Sequence, residues 1–165
     1  NPGRTRDHIY HRKVLAYMRM ALWLHFHINK IAEDALECDW KKYVWITDAF
    51  KCTTKNESGP KIPMKYMRDC VWRHLKREVD ICKPELVVAL GGKCRGVLVS
   101  EKVQNVVCAR HPSQGCPRAT DPKLDPVLEA MAKTLGSKDC VGVVASKQFR
   151  EFRVNLQSEL FPGSQ

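Results

Sequence analysis

The sequence predicts an α/β protein of three layers, with helices covering both faces of a mostly parallel central sheet. Residues 86–90 are all apolar and rich in valine, which is typical of a strand buried on both faces of a parallel sheet. Residues 103–109 end in a second run of this kind. Segments with helical spacing lie before, between and after the two runs, and this alternation favours a parallel sheet.

Five segments carry the apolar spacing of helices. The first covers residues 8–37 and is expected to bend near Asn29. Pro63 suits the first turn of the second helix, which is expected to end at Pro84. Its predicted apolar face consists of Met67, Val71, Leu75, Val79 and Cys82. The other three helices are predicted over residues 93–100, 122–135 and 148–160.

Two shorter apolar runs are also predicted to be strands: residues 40–47, and residues 141–145 at a sheet edge. We expect a single domain over residues 1–165, with residues 137–165 as a C-terminal extension. A sheet of this class usually has a strand before its first ligand loop. A further N-terminal strand is therefore expected ahead of Asn1.

The charge balance favours a polyanionic partner. The chain has 28 Lys and Arg against 18 Asp and Glu, a formal net charge of +10. Nucleic acid is the first candidate and an anionic membrane the second, although lysines scattered over a soluble basic protein would give the same total. No apolar run reaches membrane-spanning length and no signal-peptide pattern opens the chain. We therefore expect no membrane partner and a cytoplasmic protein.

Eight cysteines are present, several of them within apolar segments, as Cys94 and Cys108 are. Free cysteine is a common buried residue and disulfides are rare in reducing compartments. Most of the eight are therefore expected to be small core residues or unreactive thiols.

Polar side chains follow two of the predicted strands. Asp48 comes after the run at 40–47, and His111 comes after the run at 103–109. Ligands of open α/β sheets bind at the carboxyl ends of the strands. Asp48 and His111 are therefore expected to project, with Asn1, into one crevice suited to a small molecule or a flipped base.

The ordered motifs resemble the uracil-DNA glycosylase superfamily, and most closely its iron–sulfur type. That type has a strand ending in Thr-Asn-x-x-Lys-Cys, a cysteine on the next helix, a Pro-x-x-(apolar)-x-x-Leu-Gly segment and a His-Pro-Ser loop. The corresponding positions here are residues 47–52, Cys70, residues 84–91 and residues 111–113, in the same order. Residues 1–3, Asn-Pro-Gly, are similar to the end of the water-activating loop of other branches. The resemblance extends from residue 1 to about residue 135.

The resemblance implies a role for each of these residues in removing a base. His111 would donate a hydrogen bond to the departing base, where negative charge develops. Asn1 would hold the attacking water, while Pro2, Gly3 and Tyr10 would line the base pocket, with Tyr10 stacking on the base.

The loop after His111 is implied to contact DNA. Ser113 would bind phosphates, and Gln114 or Arg118 would fill the gap that a flipped base leaves in the duplex. A large apolar side chain usually does this, so the loop departs from the usual pattern.

Asp48 is the largest departure, because the superfamily has Asn at this position. Asn both donates to uracil O4 and accepts from N3–H, whereas an ionised Asp only accepts. Such an acceptor would suit the exocyclic amine of cytosine, and a protonated Asp would suit more than one base. Alternatively, Asp48 only caps the following turn.

Cys52 and Cys70 match two of the four thiolates that a 4Fe–4S cluster requires. The other two come from a Cys-x-x-Cys pair in the iron–sulfur type, and this chain contains no such pair. Either the pair precedes Asn1, which we favour, or Cys52 and Cys70 are ordinary thiols. Cys38 or Cys82 could take the place of the pair, but neither has a motif behind it. A zinc site from Cys108, His111 and Cys116 would have an unusual spacing.

The predicted function is that of a DNA-repair glycosylase. It would hydrolyse the N-glycosidic bond of uracil or another deaminated base in single- or double-stranded DNA. We expect a monomer without a nucleotide cofactor, and a monofunctional one because no lysine has an evident Schiff-base context. The alternative is a catalytically altered glycosylase-fold protein that binds DNA or a protein partner without excision, which Asp48 favours. An unrelated nucleotide-binding enzyme would need a phosphate loop, and residues 91–93 lack its spacing.

Overall fold

The computed structural model describes residues 2–31, 42–49, 63–112 and 118–162, with side chains from residue 10 onward. The chain divides into two compact units. Residues 45–109 form one, here called the strand unit. Residues 1–44 and 110–165 form the other, here called the helical unit.

The strand unit contains the two strands that the sequence predicts most strongly. Strands β1 (Val87–Leu90) and β2 (Val106–Ala109) pair in parallel, with Val87 opposite Val106 and Leu90 opposite Ala109. Helix α4 (Gly92–Ser100) connects them and contacts both. The predicted α/β class with a parallel sheet is confirmed by this βαβ arrangement.

Gly91 lies at the turn between β1 and α4, where its φ is 104°. A residue with a Cβ rarely adopts this conformation. The Gly91 amide donates to the carbonyl of Ala109 at 2.8 Å. The pairing of β1 with β2 thus continues one residue beyond β1.

A long helical segment precedes β1 and begins after Pro63, as predicted. Its three parts are α2 (Met64–Cys70), a π-helical stretch (Val71–Leu75) and α3 (Lys76–Cys82). It ends at Lys83, whose left-handed φ of 45° stops the helix one residue before Pro84.

The predicted apolar face of this segment is correct over most of its length. Met67, Val71 and Leu75 are buried and pack with Ala89 of β1 and with residues of α4. Cys82 is exposed, so its assignment to that face is wrong. Cys82 is the last residue of α3, and the chain leaves the helix at Lys83.

The helical unit is built around α1 (Pro2–Ile28), which begins earlier than the predicted helix over 8–37. Residues 32–37 of that prediction lie outside the described residues. Lys30 has a φ of 53°, so the chain leaves the helix at the expected break near Asn29. Helices α5 (Asp125–Thr134) and α7 (Lys147–Leu160) both pack against α1. A short 3₁₀ turn (Pro122–Leu124) leads into α5 and completes the predicted helix over 122–135.

Aromatic rings join α1 to α7 in the core of the helical unit. The Trp23 ring lies 4.7 Å from the Phe149 ring, measured between centroids, and stacks on His27 at 4.6 Å. Phe149 is fully buried. Burying one such aromatic side chain contributes about 2–3 kcal/mol to folding, so α7 is a firmly packed part of this unit.

The predicted edge strand over residues 141–145 is wrong, because these residues form helix α6 (Cys140–Ala145). Three valines favour a strand locally. However, the Asp139 carboxylate accepts a hydrogen bond from the Gly142 amide at 2.8 Å and caps a helix instead. The buried Val144 and contacts with α5 and α7 add tertiary packing that outweighs the local preference.

The predicted strand over residues 40–47 is also wrong for the part described, since residues 42–49 contain no strand. Trp45 and Ile46 are 67% and 60% exposed, so they are not packed on the two faces of a sheet. The Trp45 indole instead donates to the Glu78 carboxylate at 3.2 Å. Short apolar runs are the least decisive sequence pattern, and this one lacks the packing that a buried strand needs.

Candidate functional site

His111 lies two residues beyond the end of β2, as the sequence predicts. It is half-buried, and its ring lies 5.8 Å from the ring of Tyr10, at an angle of 46°. Tyr10 is 37% exposed. Tyr10 of α1 and His111 are therefore neighbours within the helical unit, and the Tyr10 side chain is partly exposed beside the imidazole.

The residue after His111 is held by α1. The Lys13 ammonium donates a hydrogen bond to the Pro112 carbonyl oxygen at 3.1 Å, and Pro112 is fully buried. Tyr10 and Lys13 are three residues apart on the helix and therefore share one face. This face contacts the His-Pro pair at two points and restricts where the imidazole can lie.

The imidazole can serve as a hydrogen-bond donor in this setting. A neutral imidazole has one N–H and one acceptor nitrogen. Burial of part of the ring lowers the local dielectric constant and strengthens a hydrogen bond made there. His111 thus has the chemistry needed to stabilise negative charge on an oxygen brought next to it.

Arg118, one of the three predicted DNA contacts, is exposed. The next residue, Ala119, is buried, and both of its backbone polar groups are held by α7. Its amide donates to Gln157 Oε1 at 2.8 Å, and its carbonyl accepts from Arg153 Nε at 2.5 Å.

Arg153 was not anticipated from the sequence, although a signal was present. Its neighbours at helical spacing, Phe149, Leu156 and Leu160, are buried, so an arginine stands at an apolar-face position of α7. A charge there is expected to be fully paired. The arginine could therefore have been identified as a buried hydrogen-bonding residue.

Asp48 lies in the strand unit and is exposed. No strand precedes it within residues 42–49, so the reason for expecting it at a strand end does not hold. His111 belongs to the other unit. The shared crevice expected for Asn1, Asp48 and His111 stays a prediction.

The remaining predicted site residues are described only in part. Pro2 and Gly3 form the first turn of α1, where proline is favoured because its missing N–H has no helical partner. Four predicted residues lie outside the described ranges: Asn1, Cys52, Ser113 and Gln114.

Of the two predicted cluster ligands, only Cys70 lies within the described ranges. Cys70 ends α2 and is 2% exposed, which suits a ligand shielded from water. Within the described ranges, no three His, Cys, Asp or Glu side chains come together in a group that could hold a metal ion. The cluster therefore stays a prediction.

In the part of the chain that the structure describes, no helix combines the length and the apolarity needed to cross a membrane.

The sequence of the chain matches the model of a known protein family. Residues 1–133 match the model of the uracil DNA glycosylase superfamily. No curated protein and no solved structure matches the chain. The matched region contains Tyr10, Lys13 and His111 and ends just before the last residue of α5, so α6 and α7 lie outside it.

Proposed function

Because the chain belongs to the uracil DNA glycosylase superfamily, we propose that it is a monofunctional DNA glycosylase. It would hydrolyse the N-glycosidic bond of uracil or of another deaminated base. The observation that carries the proposal is the placement of His111, the histidine of the His-Pro-Ser motif, beside Tyr10 and next to the carbonyl held by Lys13. The imidazole of His111 and the ring of Tyr10 would thereby lie side by side at the place where a flipped base binds.

The chemistry assigned to these residues follows from the charges that develop. Breaking the bond between C1′ and the base nitrogen leaves positive charge on the sugar and an electron pair on the base. His111 donates a hydrogen bond to a carbonyl oxygen of that departing anion. The oxygen of a water positioned by Asn1 adds to C1′, and its proton balances the charge of the released base, leaving an abasic site.

Recognition of the base and of DNA is assigned to the residues around this centre. Tyr10 stacks on the base, and the backbone at Pro2 and Gly3 lines the pocket. Ser113, Gln114 and Arg118 contact the DNA from which the base is flipped. The net charge of +10 supports a polyanionic substrate.

We also propose that the protein is of the iron–sulfur type and acts inside the cell. Cys52 and Cys70 would be two ligands of a 4Fe–4S cluster. The cluster would be structural, because the base chemistry above requires no electron transfer.

A second function is favoured by Asp48, which replaces the uracil-reading Asn of the superfamily motif. An ionised carboxylate would face uracil O4 with a second acceptor. Loss of uracil recognition would leave a protein that binds DNA or a protein partner without excision.

An excision assay separates the two functions. Wild-type protein is incubated with single-stranded oligonucleotides carrying uracil, hypoxanthine or xanthine, and abasic products are cleaved with alkali. We expect release of at least one base, and a decrease of roughly 10²–10³-fold for His111→Ala, the scale for loss of one donor to a developing anion. His74→Ala, an exposed histidine of the strand unit, is the control and is expected to retain wild-type excision. Release of no base by wild-type protein would support the binding function and reject the glycosylase.

A further inference from the structure

Arg153 is the only buried charged side chain among the residues that the structure describes, with an exposure of 5%. It lies on α7, outside the region that matches the superfamily. Burying a guanidinium is costly unless its N–H groups are hydrogen-bonded. Its partners therefore indicate what this helix holds in place.

All of the hydrogen bonds described for Arg153 go to the segment that follows Arg118. Nε donates to the Ala119 carbonyl at 2.5 Å, and a terminal nitrogen donates to the Asp121 carbonyl at 3.0 Å. The other terminal nitrogen lies 2.6 Å from the Asp125 carboxylate. A planar guanidinium holds its acceptors in fixed directions, so residues 119–125 are fixed relative to α7.

Gln157 completes the arrangement one helical turn later, on the same face of α7. Its side-chain oxygen accepts from the Ala119 amide at 2.8 Å. Ala119 is thus held through both its N–H and its C=O. We call Arg153 and Gln157 the α7 clamp.

The α7 clamp lies close to the candidate site. Ala119 and Lys13 line the same small cavity, and Lys13 is the residue that holds Pro112. Lys13 holds the chain before residues 113–117, and the α7 clamp holds it immediately after them. Arg118, exposed and adjacent to Ala119, takes its backbone position from the clamp.

We propose that Arg153 and Gln157 are positioning residues that fix Arg118 for contact with a DNA phosphate. This inference rests on the proposed function, because it takes DNA as the ligand of Arg118. It gives α7, which lies outside the region that matches the superfamily, a role in binding the substrate. The clamp acts through the Ala119 backbone and does not itself touch DNA.

Gln157→Ala tests the inference without changing the charge of the protein. Binding to an undamaged single-stranded oligonucleotide is measured by fluorescence anisotropy at several salt concentrations. Losing one phosphate contact lowers the slope of log K against log salt by about 0.7 for single-stranded DNA. We expect this decrease for Arg118→Ala and a decrease of the same sign for Gln157→Ala. Removing an uncharged side chain lowers the slope only if a charged contact is lost with it.

The double variant distinguishes positioning from general structural damage. If Gln157 acts through Arg118, Gln157→Ala has no further effect on affinity or salt slope in an Arg118→Ala background. Additive effects of the two substitutions would overturn the inference. Asn155→Ala, at an exposed position of α7 between the two clamp residues, is the matched control and is expected to bind as wild type does.

Hydrogen exchange tests the clamp independently of any activity. The Ala119 amide is expected to exchange faster in Gln157→Ala than in wild type, while α5 keeps its protection. Unchanged exchange at Ala119 would overturn the clamp whatever the protein binds.

If wild-type protein binds no DNA, the proposed function and the role of Arg118 are both overturned. Wild-type binding with an unaltered salt slope in Gln157→Ala rejects the inference alone.

Discussion

Lys13 of α1 donates a hydrogen bond to the carbonyl of Pro112, linking residues 99 positions apart in the chain. The contact fixes the residue that follows His111 to the helix that also carries Tyr10. Holding the backbone next to a donor keeps that donor oriented at little entropic cost during the reaction.

Removing the ammonium in Lys13→Met is expected to lower the free energy of unfolding by about 1–2 kcal/mol. This is the scale for a partly exposed hydrogen bond made by a charged group. Urea denaturation measures the change. Arg12→Met removes a neighbouring exposed charge and should change stability by less than about 0.5 kcal/mol. Equal losses in both variants would show that the contact with Pro112 adds no stability.

Asp48→Asn is expected to raise uracil excision, because Asn supplies the donor that uracil O4 requires and keeps an acceptor for N3–H. One restored hydrogen bond corresponds to roughly a tenfold change in rate. The measurement compares excision of uracil and hypoxanthine by wild type, Asp48→Asn and Asp48→Ala. Asp48→Ala removes the acceptor without adding a donor and should not gain activity. Efficient uracil excision by wild type that disappears in Asp48→Asn would contradict the assigned orientation of the base.

Protein produced with any residues that precede Asn1, and purified without oxygen, is expected to be brown and to contain about four irons per chain. Cys70→Ala should lower the iron content, because a buried thiolate ligand is lost. Cys82→Ala, at an exposed cysteine, should retain it. Colourless wild-type protein without iron would reject the cluster.

Cys94 is expected to react with iodoacetamide more slowly than Cys82, by about a factor of ten or more at neutral pH. Burial, and secondarily the neighbouring Cys108, raises the pKa of the Cys94 thiol, and only the thiolate is nucleophilic. Mass spectrometry of the alkylated peptides measures both rates. Equal rates would contradict the assignment of Cys94 as an unreactive core thiol.

The raised pKa of Cys94 also gives the sign of a pH effect. Its protonated form is favoured in the folded state, so the stabilisation is complete below the pKa of the unfolded thiol. It is lost as pH rises through the higher folded value. The unfolding free energy is therefore expected to decrease at alkaline pH, and less so in Cys94→Ala.

The local sequence pattern was sufficient to predict those elements in which the apolar residues are also the buried ones. The valine-rich runs at β1 and β2, the helix after Pro63 and the helix over residues 148–160 all appear close to their predicted positions. In these segments the side chains that favour an element locally are also the ones that its packing buries. The placement of His111 two residues beyond β2 was also predicted from its motif, while its role in a site stays a prediction.

The tertiary structure decided the elements whose local preference and packing disagree. Val141 and its neighbours favour a strand, yet the Asp139 cap and contacts with α5 and α7 make them a helix. Trp45 and Ile46 suggest a buried strand but remain exposed. Long-range contacts join residues far apart in the chain, so no local window contains the Lys13 bond to Pro112 or the Arg153 bond to Ala119. The sequence by itself determined the family and the side chains that are present, whereas only the packing of α1 and α7 determined which backbone groups Lys13, Arg153 and Gln157 hold in place.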